Sequence, residues 1–389
     1  MQAYSLNESN YITSMQGIAT IKNNNKQGLF KKTNKLIFGN YQDKIFDLGK
    51  VNIKLSWQSG LASVIFLMGI LSFASSKVFY NQMELGELMA ILGISGSLLP
   101  SIANLALISI PINEAKIAFK RMYEYAAMEK ERVEGKKIST IQGVEIKNLS
   151  FRFAGNSQLF SNLNLSIKKG ELTAIVGESG SGKSTLGQIL QGFYPYETGS
   201  IKIDDEELSQ ISLKNYRKLI GVIPQEITIF NGNVIDNILL GKTTSPEELQ
   251  DFIKKYRLDT FFNKFPQGLA TILGEEGVNI SGGQKQMIAL ARVLYKKPQL
   301  LILDESTAAM DRKTEQFSLK LIQEIKKNCA VLFISHRLHT LKHYADTIYV
   351  LDGKNISASG SHEQLLETSN FYSDFWLESN IEKAKPAIS

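Results

Sequence analysis

Nine consecutive residues, Gly177-Glu178-Ser179-Gly180-Ser181-Gly182-Lys183-Ser184-Thr185, carry the most readable chemistry in this chain. Glycines at this spacing let backbone N–H groups close around phosphate oxygens, and a helix starting at the lysine adds the partial positive charge of its N-terminus. In that arrangement Lys183 holds the β- and γ-phosphates, Ser184 offers its hydroxyl to Mg2+, and Thr185 places a second hydroxyl near the α/β-phosphates. About 120 residues later, Leu300-Leu-Ile-Leu303 ends in Asp304-Glu305. At the end of a buried strand beside a phosphate loop, such a pair divides the work. Asp304 orients Mg2+ and its water shell, and Glu305 polarises the attacking water as general base.

These groups need strands that end beside one another. Residues from about 140 to 380 provide them, alternating helical patterns with short apolar runs such as Leu172-Thr-Ala-Ile-Val176, Leu300-Leu-Ile-Leu303 and Ala330-Val-Leu-Phe-Ile334. Continuous runs of this kind suit strands buried on both faces of an α/β sheet. The chain is 389 residues long, 43% hydrophobic and 21% charged, which excludes disorder, collagen and a disulfide scaffold. Its single cysteine, Cys329, cannot form an internal disulfide, and no Cys/His cluster points to zinc. A net charge of +6 is too mild over this length to argue for nucleic acid.

The first third reads differently. No signal-peptide pattern follows Met1, and residues 1 to about 50 are polar and helical in pattern. Two stretches, 55–76 and 88–113, then carry no charged side chain between them, and each meets the roughly 20 residues that a bilayer core requires. Small residues such as Gly60, Gly69, Gly93 and Gly96 suit close helix packing, and Pro100 is tolerable where neighbours satisfy the freed carbonyl. Lysines and arginines flank the pair while the short connection holds Lys77 against Glu84 and Glu87, so both flanks are expected in the cytoplasm. The expected organisation is a partial transmembrane domain over 1–132, a linker over 133–140 and a nucleotide-binding domain over 141–380. The fold class is accordingly an α-helical transmembrane hairpin followed by an α/β P-loop NTPase domain.

Ser281-Gly282-Gly283-Gln284-Lys-Gln286, about 20 residues before the Leu300 strand, resembles the signature motif of ATP-binding cassette (ABC) proteins. Residues 140–375 are similar to that family throughout. The resemblance implies a RecA-like core with a helical subdomain, and ATP and Mg2+ as cofactors. It implies that Gln225 senses Mg2+ and the water, that His336 contacts the γ-phosphate, that Asp311 couples two nucleotide sites, and that Phe153 stacks on adenine. The family's domains meet head to tail, so Ser281, Gly282, Gly283 and Gln284 would act on ATP held by a second subunit. Every catalytic element occurs once, which permits a homodimer without excluding a heterodimer. Tyr194-Pro-Tyr196 reads as a turn, and His339 and His343 as surface or helix residues.

A cassette joined to a membrane hairpin resembles the exporters of the family, as do Gly274-Glu-Glu-Gly-Val-Asn-Ile280 and Ile229-Phe-Asn-Gly-Asn-Val-Ile-Asp-Asn237. The latter's wording and Ile18-Ala-Thr-Ile-Lys22 are similar to bacterial peptide and bacteriocin exporters that carry a peptidase. The expected function is ATP-driven export of a peptide across the cytoplasmic membrane. Exporters of this type carry six membrane helices per half, of which two are recognisable here. The alternative is therefore a truncated, transport-incompetent ATPase, or one that needs another subunit for the missing helices.

Overall fold

The computed structural model describes residues 2–127, 131, 134–274, 280–307 and 309–384. The chain divides into two compact units, 1–130 and 131–389.

The first unit is helical: α1 (Gln2–Gln16), α2 (Ile18–Asn23), α3 (Gln27–Phe79), α4 (Leu85–Leu107) and α5 (Ser109–Ala126). The polar start folds back on α3, and Asn10 Nδ2 and Ser14 Oγ donate to the same Asn34 Oδ1 at 2.6 and 3.3 Å. The expected span 55–76 lies inside α3, a 53-residue helix and, among the described residues, the one helix long and apolar enough to cross a membrane. α3 and α4 form a hairpin that buries Ala74 and Leu88. The second apolar run, 88–113, is not one helix: α4 runs through position 100 but stops at Leu107, and α5 begins at Ser109. Pro111 explains the break, because a proline lacks an N–H and its ring clashes with the carbonyl four residues back, here that of Leu107.

The second unit begins with an antiparallel sheet, β1 (Gly143–Phe151) and β2 (Phe160–Lys168), followed by β3 (Leu172–Gly177) and α6 (Lys183–Leu190). Next come β4 (Thr198–Ile203), β5 (Glu206–Glu207), α7 (Leu213–Leu219) and β6 (Ile220–Ile223). A mainly helical stretch holds β7 (Gly232–Asn233), α8 (Val234–Leu239), α9 (Pro246–Lys255), α10 (Asp259–Phe262), β8 (Ile272–Leu273) and α11 (Gly282–Lys296). The chain closes with β9 (Leu300–Asp304), α12 (Arg312–Lys326), β10 (Ala330–Ile334), α13 (Leu338–Tyr344), β11 (Thr347–Asp352), β12 (Asn355–Gly360), α14 (His362–Leu366) and α15 (Phe371–Ala384).

The six-stranded sheet runs β12-β11-β3-β10-β9-β6, parallel except for β12 at one edge. All five residues of β10 are buried, with Val331 and Phe333 in one core cluster and Ala330, Leu332 and Ile334 in the other. That two-sided burial is why the strand reads as an unbroken apolar run. The stretch expected as a linker is packed: Lys136 N donates to Gln210 O at 2.8 Å and Ile138 N to Asn215 Oδ1 at 2.7 Å.

Candidate nucleotide site

In an open parallel sheet, ligands collect at the carboxyl ends of the strands. Four such ends converge here. The glycine loop leaves β3, Asp304 closes β9, His336 lies two residues beyond β10, and Gln225 lies two beyond β6.

The loop 178–182 must turn sharply into α6. Gly182, its N-cap, sits at φ 98°, and a Cβ there would lie 2.9 Å from the Phe160 ring. At Gly177 a Cβ would run into the carbonyl oxygen of Leu351 on the neighbouring β11, so only glycine fits. The Lys183 side chain folds back over the loop, and its Nζ donates to Gly177 O at 2.9 Å and Glu178 O at 2.7 Å. Burial pulls the amine below the ordinary lysine range, and the Glu305 and Asp304 carboxylates oppose that shift.

Ser184 Oγ, in the first turn of α6, donates to Asp304 Oδ1 at 3.1 Å. Burial pushes the Asp304 carboxyl above the usual aspartate range and the Glu305 charge adds to this, while the Ser184 hydrogen bond and Lys183 work against it. A hydroxyl and a carboxylate are hard oxygen donors. Mg2+ is commonly held by one or two such protein groups together with substrate phosphates, so the pair fits that ion without a larger acidic cluster.

The Glu305 carboxylate receives both flanking loops. Gln225 Nε2 donates to Oε2 at 3.0 Å, and His336 Nδ1 lies 3.1 Å from Oε1. An ionised carboxylate only accepts, so Nδ1 carries the hydrogen in that pair. Glu305 itself has a left-handed backbone, φ 48°, with its N–H donating to Ile334 O at 3.0 Å. Four of the expected residues, Asp304, Glu305, Gln225 and His336, thus stand together with Lys183 and Ser184.

The signature residues form a separate group. Ser281 is the N-cap of α11: its Oγ accepts from Gln284 N at 3.2 Å, and Gln284 Oε1 accepts from Ser281 N at 2.8 Å. This reciprocal pair is a capping box. Gly282 and Gly283 face the loop before Asp311, and a Cβ on Gly282 would meet the Ala309 Cβ at 2.7 Å. Asp311 caps α12, its Oδ1 accepting from Lys313 N and Thr314 N at 2.9 and 3.0 Å. These hydrogen bonds hold its carboxyl below the usual range. Among the described residues, no hydrogen bond joins this group to the Glu305 set. Within Gly274–Ile280, residues 275–279 lie outside the described residues.

Phe153 is half-buried after β1, with Phe151 edge-on at 5.0 Å and Tyr194 edge-on at 5.3 Å. Tyr194 lies in a bend between α6 and β4, the turn expected there. It completes an aromatic group that sequence spacing could not reveal, because Pro195 made the segment look like a turn alone.

Residues 160–308 match the family model described as "ABC transporter". The chain is 38% identical to the alpha-hemolysin translocation ATP-binding protein of Escherichia coli O157:H7, over 74% of its own length and 41% of that protein. It is 31% identical to the mitochondrial iron-sulfur clusters transporter atm1 of Aspergillus fumigatus, over 84% of its length and 46% of the relative. The structure of a bacterial Atm1-family ABC exporter with ATP bound superposes with a TM-score of 0.88 at 25% identity, covering 97% of this chain and 68% of that one. Residues 160–308 are an ABC transporter domain, and the chain is similar to ABC exporters over most of its length. Its second unit is the ABC ATPase domain, and its helical first unit corresponds to the exporters' membrane region. The chain spans about half the length of the curated relatives it matches.

Proposed function

We propose that this chain binds Mg·ATP through residues 141–380 and hydrolyses it to drive export across the cytoplasmic membrane. The observation that carries the reading is the double engagement of Glu305 by Gln225 and His336, beside the Ser184–Asp304 pair. In this reading the backbone N–H groups of Gly177 to Ser184 cradle the phosphates, and Lys183 spans the β- and γ-oxygens. Ser184, Asp304 and, through water, Gln225 hold Mg2+, which when bound neutralises the developing phosphate charge. Glu305 takes the proton of the attacking water, with His336 fixing its orientation and meeting the γ-phosphate. Thr185 completes the phosphate contacts. Phe153, braced by Tyr194, stacks on the adenine.

The geometric separation of Ser281, Gly282, Gly283, Gln284 and Asp311 from the Glu305 set supports a site completed by a second subunit, a homodimer or a heterodimer, with the start of α11 facing the partner's γ-phosphate. The apolar portion of α3 supports placement in the membrane, with the nucleotide unit in the cytoplasm. A peptide cargo is favoured by the wording of Ile18–Lys22 and Ile229–Asn237. The hemolysin translocation relative is in keeping with this, while the iron–sulfur relative marks how widely cargo varies among similar chains.

Glu305→Gln tests the reaction. It keeps the size of the side chain and both neighbours but removes the base, so ATP binding should persist while turnover falls by at least about 10²-fold. A variant that hydrolyses at the parent rate refutes the assignment.

A further inference from the structure

One buried carboxylate near the site has no part in the chemistry proposed above. Glu315 lies in the first turn of α12 and is 7% exposed. Three donors converge on its Oε1: Thr307 Oγ1 at 3.1 Å, Arg337 Nη1 at 3.1 Å and Thr340 Oγ1 at 3.4 Å. A buried charge must find partners. The informative point is where these partners come from. Thr307 is two residues beyond Glu305, and Arg337 immediately follows His336.

Both of those segments are irregular backbone. Glu305 is left-handed at φ 48°, and Arg337 sits at φ −91°, ψ 85° ahead of α13. Ladder hydrogen bonds reach as far as the Glu305 N–H, which donates to Ile334 O at 3.0 Å, and the Ser335 N–H, which donates to Ile175 O at 3.3 Å; Thr307 and Arg337 lie beyond them. The 3.1 Å separation of His336 from Glu305 therefore depends also on what pins the two segments together past those bonds. Glu315 holds one from each side through a single oxygen, and its own helix begins at Asp311.

We propose that Glu315 is a positioning residue for ATP turnover, a clamp that fixes the loop of Glu305 against the loop of His336. It touches neither the phosphate loop nor Asp304, so it should govern the rate of hydrolysis and leave nucleotide affinity alone. The inference rests on the hydrolytic reading above.

The test uses the full chain in lipid nanodiscs. Glu315→Gln preserves volume and removes the charge that orders Arg337. Its kcat for Mg·ATP should fall at least about 10-fold, the scale of a misplaced catalytic group, with KM changed less than about 2-fold. In a His336→Ala background the same substitution should cost less than about 2-fold, because a clamp acting through His336 has nothing left to position. Should Glu315→Gln not fold, Thr307→Val against Thr307→Ser asks the same question from the other end. The valine should lose turnover at unchanged KM, and the serine, which keeps the hydroxyl, should restore it. Unchanged kcat in these variants, an equal loss in the His336→Ala background, or kcat and ATP affinity falling in parallel each overturns the clamp. A parent chain that binds ATP but does not hydrolyse it overturns the reading beneath, and that outcome is seen before any variant is made.

Discussion

His336 Nδ1 stands 3.1 Å from Glu305 Oε1, across the carboxyl ends of the neighbouring parallel strands β10 and β9. Under the proposed reaction, removing the imidazole leaves Glu305 held by Gln225 alone, with one of its two side-chain tethers lost. His336→Ala should therefore retain ATP binding and lose about 10²-fold in turnover, as measured by phosphate release under saturating Mg·ATP. Weakened nucleotide affinity with kcat intact would instead give the histidine a binding role.

Two glycines of the phosphate loop should respond to alanine in opposite degrees. Gly180 has φ 84° and nothing within 4 Å of its added Cβ, so Gly180→Ala should cost about 1–2 kcal/mol of backbone strain and leave a folded domain. At Gly177 the same methyl meets the backbone of β11, which cannot move without tearing the central sheet. Gly177→Ala should give insoluble protein, or a melting transition lowered far beyond that of Gly180→Ala in a thermal scan.

Asp304 should trade stability for function. Its carboxyl titrates above the usual aspartate range because burial disfavours the charge. Protonated, it contributes stability at low pH that is lost as pH rises through the elevated folded value. Asp304→Asn, which cannot ionise, should therefore melt higher than the parent near pH 7 in EDTA, and the gap should close toward about pH 4. Hydrolysis should be abolished in the same variant. An asparagine variant that melts lower than the parent at neutral pH would show that the Ser184 hydrogen bond outweighs burial.

Ser281 should report on α11 before it reports on nucleotide. Ser281→Ala removes an N-cap and half of a capping box, worth about 1 kcal/mol, while Ser281→Gly should cost only a few tenths. If turnover nevertheless collapses equally in both, the hydroxyl acts on the nucleotide rather than on its own helix.

The two motifs bound up with local backbone were legible without coordinates, because a phosphate loop and a strand ending in carboxylates are contiguous in the chain. The encounters that complete the site were not: Gln225 and Glu305 are 80 residues apart, and Glu305 and His336 are 31. Family resemblance proposed these partners, and no periodicity could. Pro111 was visible but lay inside an apolar run whose composition argued for continuity, so the break after Leu107 went unseen. Glu315 looked like any charged residue in the first turn of a helix, and only burial against Thr307 and Arg337 distinguishes it. Tyr194 was hidden in a similar way, behind the turn chemistry of its neighbouring proline.

The length of α3 has a mechanical corollary. Residues 27–54, ahead of its apolar portion, make up 28 of its 53 positions, a rod of about 40 Å at the usual helical rise. Under the proposed membrane placement, tilting such a rod by about 10° sweeps its far end through about 7 Å, more than a full helical turn. A small angular adjustment within the bilayer is thereby geared up into a displacement large enough to be felt by whatever docks at its tip.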